Sequence, residues 1–474
     1  MKNLSITILL FLFCLQIKAS DVQITNAVFQ DKNLGTPEAA ITATITVSWK
    51  NAWRNQKNHD AVWLFFKLKK ENETRSQRHG VLKKDSFRLV HNYLNNNVNP
   101  SFWMPEDAVG VMIFPDKEFR GDVSWRIQVE LDVPKIQNLP REGLTYTYAH
   151  AVEMVLIPQG AFYAGDPDNK NTAAFYEYGT NNHYRVTSEN PIKVGTNNGN
   201  LYYDNQNQPD YKGDAKGTIP QAFPKGFDAF YLMKYELTQG LYTDFLNSIS
   251  AYWTTNRANF GGKFYTKQRG SIYLEDSVYK TTSRHRPASF LSFEDSAAWT
   301  DWAGLRPMTE LEFEKAARGT NKPIAKDFPW GTDSNAKLSR YFNENSDFVW
   351  QMPLDEKDLN NSNLELFGAS YYWVMDLNKG LWERCVTVGN ERGRQFKGSH
   401  GDGVLADGYF GVASNEDWAN GVDGKGGIGY RGGGFYINGM VGSPIGTVGE
   451  RDFGSWGDGP RDIAYGYRAA RSAK

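Results

Sequence analysis

Hydrophobic and polar positions alternate strictly along the first part of the chain. Ile41, Ala43, Ile45, Val47 and Trp49 are separated by Thr42, Thr44, Thr46 and Ser48, the period-two pattern of a half-buried strand. Ala61-Val62-Trp63-Leu64-Phe65-Phe66 is an unbroken apolar run of the kind found inside a sheet core, and Val109 to Phe114 and Val123 to Val133 have the same character. Polar turns such as Asn95-Asn96-Asn97 separate them. Several short strands over about a hundred residues predict an immunoglobulin-like β-sandwich spanning 20–135. Pro134 to Gly143, with Pro140, predicts a linker over 136–148, and the remainder, 149–474, forms a second unit.

That unit opens with an apolar strand, Glu153-Met154-Val155-Leu156-Ile157, ended by Pro158 and Gly160. Residues 165–220, rich in Asn, Asp, Gly and Tyr with weak periodicity, are expected to be a long loop insertion. Three helices follow. Thr238 is an N-cap candidate, and Tyr242, Phe245, Leu246 and Ile249 lie on one face at helical spacing. Ser292 with Asp295 and Thr309 with Glu312 are capping-box pairs, and Gly319 suits the end of the third helix. The fold class expected is α+β.

Composition narrows the function. Lys+Arg (53) balance Asp+Glu (54), so no bulk charge favours nucleic acid or an anionic membrane. A hydrophobic share of 40% fits a globular chain, and 45 Gly with 14 Trp, 25 Tyr and 28 Phe fits a loop-rich architecture anchored by rings. Lys2, the apolar run Leu4 to Leu15 and the small residue Ala19 have the form of a signal peptide, 1–19. Export to the periplasm, cell surface or medium is therefore expected, with no transmembrane helix in the mature chain. Cys14 lacks the small residues that precede a lipid-modified cysteine, and it leaves with the signal. Cys385 then stands alone, a small buried hydrophobe in a strand rather than a nucleophile.

Eight segments in order carry a resemblance. They are Met154 to Phe162; Tyr235-Glu236-Leu237-Thr238; Arg286-Pro287-Ala288 through Ala297; Leu305-Arg306-Pro307-Met308-Thr309-Glu310-Leu311-Glu312-Phe313-Glu314-Lys315-Ala316-Ala317-Arg318-Gly319; Pro329-Trp330-Gly331; Asp376 to Glu383; Arg431-Gly432-Gly433; and Gly466-Tyr467-Arg468. Together they resemble the formylglycine-generating, or sulfatase-modifying factor, family. The resemblance implies a C-type-lectin-like α+β fold with little regular structure. It also implies oxidation of a sulfatase cysteine by oxygen and a copper held by two cysteines. Ile437 and Gly442 stand at those cysteine places, Gly434 at the family's serine and Asn438 at its histidine. Isoleucine and glycine side chains offer no soft donor, so copper is not expected.

The same resemblance implies a calcium loop in Asp376 to Glu383, with oxygen from Asp376 and Glu383 and from the carbonyls of Lys379 and Leu381; Asn343 resembles an amide ligand of a second site. The alternative is a turn in which a buried Glu383 pairs a cation. The helical iron-binding relatives need a His-x-x-x-His-x-x-Glu helix, which the seven dispersed histidines do not form. In Lys397 to Gly403, His400 beside Asp402 is an acid–base candidate, against the reading that both are turn-formers. Two functions remain. One is a non-catalytic recognition or scaffold protein for a protein or glycan partner, of the kind that resembles surface and secretion components of gliding bacteria. The other is a divergent oxidase-type enzyme.

Overall fold

The computed structural model describes residues 22–32, 36–70, 78–137, 145–168, 172–259, 269–342, 348–350, 354–378, 380–406, 410–419, 426–434, 446–456 and 460–473. Nine strands build its first part: β1 (Gln23–Lys32), β2 (Ala40–Arg54), β3 (Asp60–Lys70), β4 (Arg78–His79), β5 (Arg88–Asn92), β6 (Pro100–Trp103), β7 (Val111–Pro115), β8 (Phe119–Asp132) and β9 (Thr145–Ile157). One sheet has the order β1-β2-β8-β5. The inward residues of β2 and β8, including Ile45, Trp49, Trp125 and Ile127, pack on Val62, Leu64, Phe66 and Leu68 of β3 and Val111 and Ile113 of β7. Two sheets thus lie face to face, as the alternation of β2 requires.

The second of these sheets is not closed within 20–135. β9 pairs with β3 over eleven residues, from Asp60 opposite Val155 to Lys70 opposite Thr145. Its far end pairs with Phe230–Met233, which pairs in turn with Ala469–Ser472. One eight-stranded sheet therefore runs through both parts of the chain. Within the stretch 136–148 expected as a linker, the residues from Thr145 onward lie in strand β9. The apolar run in β3 now has its reason. Val62, Leu64 and Phe66 face the core shared with β2 and β8, while Ala61, Trp63 and Phe65 face a second core with Trp299 and Trp302, so the strand is buried on both sides and cannot alternate.

The three capped helices form over Gln239–Leu246, Phe293–Trp302 and Glu310–Arg318. Thr238 accepts from the Leu241 N–H, and both capping boxes are complete. Gly319 ends the third helix at φ 64°. The long loop expected at 165–220 is instead partly sheet: Tyr176–Glu177, Leu201–Tyr202, Ile192–Val194 and Gly217–Ile219 form four short strands in that order. Strands of two or three residues are too short to show a period in sequence. The architecture is mixed α and β. No helix among the described residues is long and apolar enough to cross a membrane.

Candidate functional site

Several of the segments that carried the resemblance meet in the interior through paired charges. The helix Glu310–Arg318 presents three carboxylates inward. Glu312 accepts a two-pronged bond from Arg306 at 2.6 and 2.9 Å. Glu314 accepts from Arg431 at 2.9 Å, and Arg318 grips Asp327 with two bonds of 2.7 Å. Glu310 is the hub: it accepts from Arg451 at 2.7 and 3.1 Å, from Arg431 at 2.9 Å, from the Thr387 hydroxyl at 3.0 Å and from the Val388 N–H at 2.8 Å. Burial pushes its carboxyl up, but Arg451 and Arg431 outweigh burial and hold it at about 2. Buried charges persist in such a core only when paired and bonded in this way.

Glu383 and Asp376 belong to the same system. Glu383 lies on Trp382–Val386 and spends both oxygens on Arg468, at 2.9 and 2.8 Å. Arg468 also donates to the carbonyls of Met233, Lys234 and Met375. Asp376, at φ 62°, accepts from Arg340 at 2.5 Å. Burial raises Asp376 to about 6 against the lowering pull of Arg340 and Arg468. The backbone N–H of Leu381 donates to Glu236, whose other oxygen has no hydrogen-bond partner among the described residues; burial and then the Glu383 charge raise the Glu236 carboxyl. A calcium ion using Glu383 would have to displace a guanidinium from both of its oxygens. Among the described residues no three His, Cys, Asp or Glu side chains converge as a metal site. Lys379 and Asn343 lie outside the described residues, as do Ile437, Asn438 and Gly442.

His400 and Asp402 are not brought together as a pair. His400 Nε2 accepts from the Ser472 N–H at 3.0 Å, and burial, then Arg471 and Arg306, hold the ring well below the usual histidine range. Asp402 is exposed and accepts from the Val404 N–H at 2.8 Å, within its own turn. Cys385 is 1% exposed, and burial followed by the Glu383 charge pushes its thiol well above the ordinary value. Such a thiol is inert.

A hollow of about 1210 Å³ lies elsewhere, between residues 214–222, 391–399 and 415–417. Its walls are fixed by long-range bonds. Arg394 holds Asp214 with bonds of 2.9 and 2.7 Å and the Val388 carbonyl at 2.8 Å. Asn390 caps the turn Glu391–Arg394. Asp417 accepts from the Lys397 N–H at 2.8 Å and from the Ser399 hydroxyl, while the Trp418 indole donates to the Ser399 carbonyl at 3.0 Å. Sequence reasoning missed this groove. The charged run 391–397 was visible, but nothing in it signals that Asp214, 180 residues earlier, forms the opposite wall.

Residues 144–432 match the model of the sulfatase-modifying factor enzyme 1-like domain. Formylglycine-generating enzymes are similar over shorter stretches: that of Bos taurus is 27% identical over 150 residues, which is 26% of this chain and 38% of the bovine one. That of Mus musculus is 25% identical over 188 residues, 33% of this chain and 48% of the other. That of Thermomonospora curvata is 26% identical over 112 residues, covering 22% and 35%. The chain thus spans less than half the length of each of these relatives. The match over most of the chain agrees with the buried pairs built from the resembling segments, and the chain belongs to the sulfatase-modifying factor enzyme 1-like family.

Proposed function

We propose that this chain is a non-catalytic member of its family, exported, and working by recognising a protein or glycan partner. The observation that carries the reading is the state of Cys385: the one thiol outside the signal-like segment is sealed in a strand, with a raised pKa. Oxidation of a sulfatase cysteine, as the family performs it, calls for two thiolates on a soft copper ion. At the resembling places this sequence has Ile437 and Gly442, so the donor set does not fit copper, and no oxidative step is derived. An oxidase built on His400 and Asp402 is not favoured, because each group is already engaged elsewhere.

The test is to incubate the purified protein with copper, oxygen, a thiol reductant and a peptide carrying Cys-x-Pro-x-Arg, then to weigh the peptide. An unchanged mass is expected. A loss of mass matching conversion of the thiol to an aldehyde overturns the reading. A thiol reagent applied to the same protein should label Cys385 only after denaturation.

A further inference from the structure

Three positions of the sequence have the form Asn-x-Ser/Thr with x other than proline: Asn3, Asn72 and Asn360. That pattern is the acceptor signal for N-linked glycan, and in an exported chain its place is a surface loop. The three are not equivalent. Asn3 lies in the signal-like segment 1–19, and Asn72, with Lys70 two places before it, lies outside the described residues. Asn360 alone has an acid at that place, in Asp358-Leu359-Asn360-Asn361-Ser362. A carboxylate two residues ahead of the acceptor adds a charged handle by which a transferase can grip the chain.

The segment joins the turn Glu356–Asp358 to the short helix Leu364–Phe367. Asp358, Asn360, Asn361 and Ser362 are exposed, while Leu359 between them is buried in a cluster with Tyr235 and Phe367. The backbone is thus pinned from below and the polar side chains stand outward. Asn363 holds the turn from its other end: its Oδ1 accepts from the Asn360 backbone N–H at 2.7 Å, and its amide donates to the Asp358 carbonyl at 2.9 Å. Asn360 Oδ1 accepts from the Ser362 N–H at 2.9 Å and from the Ser362 hydroxyl at 2.6 Å, so the acceptor amide and the hydroxyl that the signal requires are side by side. One N–H of Asn360 Nδ2 donates to the Asp358 carbonyl at 3.0 Å, and its other N–H has no hydrogen-bond partner among the described residues. A sugar on this nitrogen therefore displaces nothing from the core and sets at most one exposed hydrogen bond aside.

We propose that Asn360 of the folded chain is an acceptor site for N-linked glycan, delivered from a polyprenyl-diphosphate-linked oligosaccharide. The step is a group transfer without redox change. Asn360 Nδ2 forms a bond to the anomeric carbon, the bond from that carbon to the diphosphate oxygen breaks with its electron pair leaving on the carrier, and one Nδ2 proton passes to solvent. Of the recognition reading above, the site uses only the export. The test mixes the purified, folded full chain with the glycan donor and a bacterial oligosaccharyltransferase that takes the Asp/Glu-x-Asn-x-Ser/Thr form, alongside a short Asp-x-Asn-x-Ser peptide that reports whether the transferase is active. Proteolytic fragments are then weighed. A gain of one glycan on the fragment holding Asn360 is expected. It should be absent in Asn360→Gln and in Ser362→Ala and fall tenfold or more in Asp358→Ala, with melting temperatures little changed. A folded chain left bare while the short peptide is modified overturns the proposal, as does glycan on Asn72 with Asn360 bare, or undiminished transfer to Ser362→Ala. Because chain and transferase are mixed directly, that failure leaves the export reading standing; export is read separately, by N-terminal sequencing of the protein from its cell.

Discussion

Replacing Glu310 by Gln removes one charge from the buried hub while keeping the side chain's length. Two guanidiniums, those of Arg451 and Arg431, then face a neutral amide; Arg431 keeps Glu314, but Arg451 loses the carboxylate that took two of its bonds. The magnitude follows from the carboxyl itself. It is held at about 2 against an ordinary 4.5 because the arginines outweigh burial, and that difference corresponds to about 3 kcal/mol in favour of the folded state. The contribution is complete above pH 4.5, where the group is ionised in both states. It shrinks as the unfolded chain begins to take up the proton, to about 1 kcal/mol at pH 3, and is lost as the pH falls through about 2. A cost of 3–5 kcal/mol is the usual order for breaking a buried pair by removing one partner. Urea unfolding followed by tryptophan fluorescence should show Glu310→Gln less stable by about 3 kcal/mol at pH 7, and the gap should narrow toward pH 3. A wild-type midpoint at pH 7, or a gap that does not narrow in acid, refutes the reasoning.

Burial holds His59 at about 4, and burial followed by the Lys67 charge holds His150 at about 3, so the unfolded chain binds these protons first and stability falls as the pH drops below 6.5. His150→Phe should flatten that fall by about 1.4 kcal/mol per pH unit between pH 6 and 4, read from urea midpoints. Gly319→Ala places a Cβ 2.0 Å from the Tyr371 ring at a positive φ, and a loss of about 2 kcal/mol or more is expected in thermal melts. Glu383→Gln leaves Arg468 buried without its carboxylate and should cost about 3–5 kcal/mol. Wild-type melting curves in excess calcium and in excess chelator should coincide, because Arg468 occupies both Glu383 oxygens; a calcium-dependent rise that Glu383→Gln erases would show an ion displacing the guanidinium.

What the sequence by itself determined is whatever depends on neighbours a few residues apart. The alternation in β2 placed its inward face, Thr238, Ser292 and Thr309 marked three helix starts, and the apolar run in β3 marked a strand of a sheet core. Each rests on a side chain meeting backbone within one turn, or on a period of two, and needs no knowledge of the rest of the chain. The ordered segments also carried the family, because buried arginine–carboxylate pairs restrict which residues can stand there. Only the tertiary structure decided the partners. Glu383 meets Arg468 across 85 residues, and Asp214 meets Arg394 across 180. The Asp376–Glu383 loop was legible as an oxygen-rich turn, yet whether its carboxylates face an ion or a guanidinium depends on which distant strand packs beside them. His400 and Asp402 are two residues apart in sequence but point to different partners, since their glycine neighbours leave the turn free to be set by Ser472 and the packed sheet. The single sheet joining β3, β9 and Phe230–Met233 was invisible for the same reason: strand pairing is chosen by the cores on either side, and the local pattern of each strand is compatible with many neighbours.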